Sequence, residues 1–507
     1  MKAGIFPKEL KIGNITQIHK KGNEQLLENY RPISTLPIFG KIFEKVIYSR
    51  LYSYFTSKGI LNDKQFGFRK NHSTSHALNF SINLIKESIR NGNHVIGIFI
   101  DLSKAFDTID HGTLIKKLEH YGVRGKTLSL LEDYLTDRQQ YVTVLGEVSK
   151  KLTVKFGVPQ GSCLGPLLFL IYINDLVNCC LASELILFAD DTNIFVEAQT
   201  KPQAYAKANE ILREIALYMK CNKLHINAQK SVFMNFTGSK AAAHPVESPN
   251  LPNIILDGME LKEVSETKFL GVMIDNKLSW DSHIKSLTKK LASCTGSIKR
   301  ICESLPEDLY TDLYHTLFES YLTYGITVWG VMADSKLDPL FKSQKKVIRI
   351  LFGDKKKFLD KFKTCARARP FPDQKLTPDF YVKEHTKPLF NAKKILALKN
   401  LIFYHYVNET FKILKFRSPV TVLNLFKFSN LAYKSLFLIT PKPSDCFVYK
   451  ASVSWNIAKR NLKVEDTATS VSTVKNRLKK FLLEIQSQGD QENWIETNFF
   501  CEQENAT

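Results

Sequence analysis

The sequence predicts an α+β fold, and three features carry that expectation. Strand-like and helix-like runs alternate through the first 275 of 507 residues, the pattern of an antiparallel sheet backed by helices. Residues 281–420 then read as mostly helical. Within the first of these regions, LILFADDTNIFV (185–196) sets two apolar, β-prone runs around an adjacent aspartate pair, as a short hairpin would to hold two carboxylates at its turn.

Taken in order, the chain starts basic and extended. FPKELKIGNITQIHKKGN offers Lys8, Lys11, His19, Lys20 and Lys21, and NYRPIS adds Arg31; alone, this is a solvated basic edge. KIFEKVIYSRLYSYF (41–55) places Ile42, Phe43, Val46, Ile47, Leu51, Tyr54 and Phe55 on one helical stripe, with Gly59 to end it. In DKQFGFRKNHST, Gly67, Arg69 and Lys70 could bring backbone N–H groups and cations to a phosphate. Ser73 or Thr74 caps a helix running toward Asn91 and Gly92.

VIGIFID (95–101) is nearly all apolar before its final aspartate, which suits a buried strand delivering Asp101 to a sheet edge. In LSKAFDTIDH, Phe106 suits a core, while Asp107 and Asp110 suit the first turn of a helix. A helix pair (112–135) and two antiparallel strands in RQQYVTVLGEVSKKLTVKFGV follow. In GVPQGSCLGPLLFLIYINDL, Pro159 and Gly161 set an irregular loop before an apolar helix. It is either a tight strand-to-helix turn or a nucleotide-site wall with the amide of Gln160 aimed into the cleft.

Helix 202–223 is amphipathic through Ala204, Ala208, Ile211, Leu212, Ile215 and Leu217. NKLHINAQKSVFMNF is strand-like and contains Lys230, Asp257-Gly258 marks a hairpin, and KFLGVMID reads as one more strand.

Composition narrows the function. Lys and Arg outnumber Asp and Glu by 71 to 50, a net charge of +21, which favours a polyanionic partner. Residues 281–420 hold 26 Lys and Arg against 14 Asp and Glu, a net of +12. Their runs KSQKKVIR, GDKKKFLDKFK and ARAR are interleaved with aromatics, as on a surface that tracks a nucleic acid backbone.

No run reaches the ~20 apolar residues that span a bilayer; PLLFLIYI (166–173) is too short. The N-terminal stretch lacks the apolar core of a signal peptide. Nine scattered cysteines fit neither a zinc site nor a disulfide framework. The expectation is a soluble intracellular protein with reduced thiols and no membrane partner, whose polar tail beyond 480 frays.

Three carboxylates thus arrive at strand ends: Asp101, Asp190 and Asp191. Gathered at one point they would repel each other unless cations neutralise them, so two Mg²⁺ ions are the natural occupants, with Mn²⁺ an alternative. In nucleotidyl transfer one ion activates the attacking 3′ oxygen and the other steadies the leaving pyrophosphate. A lysine such as Lys230 could protonate that pyrophosphate.

The motifs IGIFIDLSKAFDTIDH, FGVPQGSCLGPLLFLIYINDL, ILFADDTNIF, NKLHINAQKSVFMNF and KFLGVMID, in that order and spacing, resemble the successive motifs of a reverse transcriptase. LKIGNITQIHKKGNEQLLENYRPISTLPIFGKIFEKVIYSRL and QFGFRKNHSTSHAL resemble the fingers motifs of non-LTR retrotransposons, particularly the jockey-like group.

The resemblance implies a right-hand polymerase, with fingers and palm over 1–278, a basic helical thumb over 279–370 and an extension of unknown role over 371–507. It implies RNA-templated addition of deoxynucleotides to a primer 3′ hydroxyl, with an RNA template, a DNA primer and deoxynucleoside triphosphates as partners. Asp101, Asp190 and Asp191 match the metal-binding triad, Phe106 the residue that closes against the sugar 2′ position, and Gln160 the incoming-nucleotide contact. Arg69 sits where a fingers cation meets the triphosphate, and Lys230 matches the proposed general acid.

Met219-Lys220 and WNIAK depart from the group, where a tryptophan and a Trp-Asn-x-Leu-Pro pattern are usual. By the same resemblance, the chain is expected to start in the fingers region and to lack the endonuclease domain that precedes it in full-length elements. The alternatives are a catalytically inactive, truncated or domesticated remnant that only binds nucleic acid, and a group II intron-type maturase, whose fingers fit less well.

Overall fold

A computed structural model describes residues 4–20, 22–179, 183–237, 251–353, 386–428, 438–439, 446–462 and 469–487. The ARAR run, nearly all of GDKKKFLDKFK, the expected boundary at 370 and the tail after 487 lie outside the described residues. The chain divides into two compact units, one of residues 1–77 and 84–265, the other of 78–83 and 266–507.

The first unit begins with an antiparallel pair, β1 (Ile12–His19) and β2 (Tyr30–Thr35), in which Ile18 pairs with Arg31. Helix α1 (Ile38–Ser57) buries Ile47, Leu51, Tyr52 and Phe55. Ile42 and Val46, expected on the same stripe, are 52% and 39% exposed. The buried face is rotated toward Glu44, whose carboxylate accepts from the Tyr134 hydroxyl and the Cys163 N–H, both at 2.7 Å. A buried acid with two donors therefore overrides the apolar periodicity. Helix α2 (Thr74–Arg90) is capped by Ser73, which accepts from the His76 N–H.

Strand β3 (His94–Ile100) is buried along most of its length, as its apolar run implies. After β4 (Leu102–Ser103), the helix pair is α3 (His111–His120) and α4 (Gly125–Leu135). Asp110 caps α3, as befits an acid beside free helix N–H groups. Asp107, expected in that first turn, lies before the helix in a turn closed by its N–H to the Lys104 carbonyl. The region from 138 forms β5 (Gln139–Val144), which pairs in parallel with β1 and antiparallel with β6 (Glu147–Val148) and β7 (Leu152–Thr153).

Apolar helix α5 (Gly165–Ile173) is almost wholly buried. It leads through a 3₁₀ turn, Asn174–Cys179, toward the hairpin of β8 (Glu184–Phe188) and β9 (Asp191–Ala198). Helix α6 (Lys201–Cys221) opens with a capping box, in which Thr200 and Gln203 satisfy each other's backbone N–H. It buries Ala204, Ala208, Ile211, Leu212 and Ile215, then Tyr218 and Met219; the expected Leu217 is exposed. A buried Met219 gives the departure from tryptophan a packing role.

Strands β10 (His225–Ile226) and β11 (Val232–Phe236) follow. Lys230, expected within a strand, lies in the turn between them, where Asn227 caps the chain reversal by accepting from the Lys230 and Ser231 N–H groups. Strands β12 (Ile255–Leu256) and β13 (Met259–Glu260) form the predicted Asp257-Gly258 hairpin, and β14 (Lys262–Glu263) ends the unit.

The central sheet has the order β14-β11-β3-β9-β8, antiparallel except for β11 with β14. The apolar side chains of β3, β8 and β9 share one core with those of α5 and α6.

The second unit opens with KFLGVMID as a hairpin, not as one strand. Strand β15 (Glu266–Phe269) turns at Leu270-Gly271 into β16 (Val272–Asp275). Both turn residues have positive φ, 44° and 87°, and the Tyr324 hydroxyl donates to the Leu270 carbonyl. Asp275 accepts from the N–H groups of Lys277, Ser279 and Trp280, just before helix α7 (Asp281–Ile301). The rest is predominantly helical among the described residues, as expected: Asp334–Phe352, Leu398–Phe416, Phe447–Leu462 and Val471–Ser487 are its longer helices. The last of these carries regular structure past residue 480, where fraying was expected. No described helix is long and apolar enough to cross a membrane.

Candidate active site

The site starts from the ladder register. Phe188 pairs with Asp191, so β8 and β9 are joined by a two-residue turn with Ala189 and Asp190 at its tip. Ala189 has φ +56°, which suits the first position of a primed hairpin turn but costs a residue with a Cβ about 1–2 kcal/mol. On the neighbouring strand Ile100 pairs with Thr192, so one further step along the ladder sets Asp101 beside Asp191. All three acids thus leave the sheet at one end.

Their electrostatics agree with that placement. Burial raises the Asp190 carboxyl above the ordinary carboxylate range, and the negative charge of Asp101 raises it further. Asp191 is open to water yet surrounded by protein on most sides. It is pushed up to about 6, by desolvation first and then by Asp190 and Asp101. Two cations counter this field. Arg31 and Lys20 both lower Asp190, and Lys20 also lowers Asp191. The β1–β2 hairpin carries both, with the Lys20 N–H on the Asn29 carbonyl at 2.8 Å. What the sequence offers as a solvated basic edge therefore lies within electrostatic reach of the acids.

Asp101 is tied to the Lys230 turn. Its N–H donates to Ser231 Oγ at 3.2 Å, and its carbonyl accepts from the Asn227 N–H at 2.8 Å. That turn carries an exposed Lys230 next to the strand end bearing Asp101. Phe106 stacks on Phe169, with ring centroids 4.7 Å apart, and meets Phe68 edge-on at 6.1 Å. Its ring is therefore held on two sides. The Phe106 carbonyl accepts from the Val158 N–H at 2.9 Å, joining it to the PQG loop.

Within that loop, Gln160 Nε2 donates to both oxygens of Asp107 at 2.9 Å. Burial raises the Asp107 carboxyl, and this contact opposes the rise. The Gln160 carbonyl accepts from the Ser34 N–H on β2. In this arrangement the side-chain amide of Gln160 is spent on Asp107.

Arg69 is also engaged within the fold. Its guanidinium donates to the Asn62 carbonyl and pairs with Asp63 at 3.2 Å. The Gly67 N–H, expected free for a phosphate, donates to Gln65 Oε1 at 2.8 Å, and the Lys70 N–H donates to the Tyr52 hydroxyl. The QFGFR loop serves the fold here, because a buried N–H without a partner is costly.

Sequence reasoning passed over Gln65, Asn227 and Ser231. Each acts through a contact more than a hundred residues away, which no local pattern announces.

Among the described residues no three carboxylate, imidazole or thiolate side chains converge closely enough to hold a metal as they stand. The donor set itself, oxygen-only and mutually repelling, is of the chemical kind that suits a hard divalent cation, and Asp101, Asp190 and Asp191 are the residues that would hold one. A cavity of about 710 Å³ opens between the end of α6 and Asp107, lined by Lys220, Lys223, His225 and Phe156 among others. It touches none of the three acids.

This geometry belongs to the template-dependent polymerases, and residues 18–274, half of the chain, match the family model described as reverse transcriptase (RNA-dependent DNA polymerase). The chain belongs to that family. The similar proteins include polymerases of several mobile elements. The chain is 30% identical over 368 residues to the probable RNA-directed DNA polymerase from transposon BS of Drosophila melanogaster, covering 69% of this chain and 39% of that one. It is 28% identical over 364 residues to the polymerase from mobile element jockey of the same fly, covering 69% and 38%. The chain thus spans about two fifths of these relatives. Among solved structures, Candida tropicalis telomerase with a telomeric RNA fragment aligns over 83% of this chain and 64% of that one, at 13% identity and a TM-score of 0.39.

Proposed function

We propose that the chain is an RNA-directed DNA polymerase of a mobile element, adding deoxynucleotides to a primer 3′ hydroxyl on an RNA template. One observation carries this reading: Asp101, Asp190 and Asp191 share one end of the sheet, where burial and neighbouring acid charge raise the Asp190 and Asp191 carboxyls and Lys20 and Arg31 oppose that rise.

The acids would hold two divalent cations, Mg²⁺ or Mn²⁺, which when bound supply Lewis-acid activation of the 3′ oxygen and of the leaving group. The chain's own residues supply position and charge. Lys20 and Arg31 receive the triphosphate opposite the acids, a role the family resemblance implies for Arg69; Arg69 joins them once its pair with Asp63 opens. Phe106, fixed between Phe169 and Phe68, forms the wall against the sugar 2′ position. Gln160 contacts the incoming nucleotide when it leaves Asp107, and exposed Lys230 donates a proton to the departing pyrophosphate.

Fingers and palm are assigned to 1–278 and the thumb to 279–370, whose cations grip the template–primer duplex; 371–507 stays without a role. The setting is intracellular.

A second reading, a remnant that binds nucleic acid without turnover, draws on the lack of three converged ligand side chains among the described residues. Primer extension on an oligo-primed RNA template separates the two. Wild type extends the primer and Asp190→Asn does not, while both retain duplex binding that weakens steeply with salt. Duplex binding without extension by wild type would leave only the second reading.

A further inference from the structure

The acid-bearing turn depends on a support from far along the chain. Gln65 is 2% exposed, and its side chain meets both backbone polar groups of Ala189, one in each of the two peptide units that flank its Cα. Oε1 accepts from the Ala189 N–H at 3.0 Å, and Nε2 lies 3.4 Å from the Ala189 carbonyl as donor. The same Oε1 accepts from the Gly67 N–H at 2.8 Å, so the side chain is fixed from its own loop.

The backbone around it extends the sheet edge. The Phe66 N–H donates to the Leu187 carbonyl at 2.8 Å and the Leu187 N–H to the Lys64 carbonyl at 2.9 Å, with Gln65 bridged in parallel to Leu187. Gly67 closes the contact. A Cβ there would stand 2.1 Å from the Ala189 nitrogen and 2.9 Å from its Cα. Gly67 has no positive φ, so space rather than conformation demands glycine.

These contacts surround a residue whose φ of +56° is unfavourable for alanine. Strain of this kind persists only where neighbouring structure over-determines it. We infer that Gln65, seated over Gly67, is a positioning residue for the polymerase reaction: it clamps Ala189 in the left-handed region and so fixes where Asp190 presents its carboxylate. The inference rests on the metal-site reading of Asp190 given above. It adds that the QFGFR loop acts on the acids through Gln65, independently of any phosphate contact by Arg69.

The test uses Gln65→Met, which keeps the volume and removes both hydrogen bonds, alone and combined with Ala189→Gly, which relaxes the need for a clamp. Expected for Gln65→Met is a fall in kcat of roughly 10–100-fold, the scale of a small misplacement of reacting groups. KM for the deoxynucleotide and duplex binding should change little. The Ala189 amide should exchange at least about tenfold faster than in wild type, since the bond protecting it is gone. Ala189→Gly in the Gln65→Met background should recover much of kcat, which a loss of packing alone would not permit.

The inference falls if Gln65→Met extends primers like wild type, if the Ala189 amide exchanges unchanged, or if the double variant recovers nothing. Amide exchange reads the clamp without turnover. If Asp190→Asn extends primers normally while that amide behaves as expected, the metal-site reading fails and the clamp stands as a structural feature alone.

Discussion

Two hairpins of the first unit hold an aspartate at a two-residue turn by different means. At Asp257-Gly258 both residues have positive φ, 50° and 78°, and the glycine meets no atom within 4 Å of a built Cβ. That turn is solved locally, with the residue pair a primed turn prefers. At Ala189-Asp190 no glycine is present, and the turn is held by Gln65, 124 residues earlier. The first turn leaves its aspartate exposed at the surface. The second places Asp190 beside Asp101 at an irregular cost, which suggests that the position of one carboxylate matters more there than the ease of the turn.

Exchanging the two aspartates breaks this comparison most sharply. Asp190→Asn should lower primer extension by at least about a hundredfold, since on the proposed reading it removes a charge that would hold the cations. Asp257→Asn should leave it within about twofold, as a surface turn residue would. Gly67→Ala should come next. Its Cβ cannot share space with the Ala189 nitrogen, so the loop must shift, with a loss of about 1–3 kcal/mol in chemical denaturation and a fall in kcat like that of Gln65→Met.

Glycine exchange at the two turns should be milder and opposite in character. Gly258→Ala should cost about 1 kcal/mol by placing a Cβ at positive φ. Ala189→Gly should lie within about 0.5 kcal/mol of wild type, because relief of strain offsets added chain entropy.

The smallest effect lies at Asp110, which is held down to about 2 chiefly by its hydrogen bond from Lys223, with which it pairs at 2.7 Å. A depressed carboxyl contributes stability above its unfolded value near 4 and loses it as the pH falls toward 2. Asn at 110 still caps α3. The difference in melting temperature between wild type and Asp110→Asn should therefore be largest near neutrality and vanish through that acid window.

Much of this architecture was legible before the structure. The apolar run ending at Asp101, the hairpin at 185–196, the Ser73 cap and the Asp257-Gly258 turn are local patterns, and local patterns are what one sequence displays. The failures share a different cause. Glu44 turned the buried face of α1 away from Ile42 and Val46 through a partner at residue 163. Asp107 left its helix for Gln160, 53 residues on. Leu270-Gly271 broke a strand whose apolar run looked continuous. Lys20 and Arg31 looked like solvated charge because their field on Asp190 exists only once β1 and β2 pair. Composition and period cannot carry these terms, since each depends on a contact distant in sequence.

As proposed, Asp101, Asp190 and Asp191 form a cation site. Mn²⁺ titration of the protein without nucleic acid, followed by electron paramagnetic resonance, tests it most directly. Binding to wild type should be saturable, weakened at least about tenfold by Asp190→Asn and unchanged by Asp257→Asn. Equal binding by wild type and Asp190→Asn would contradict it.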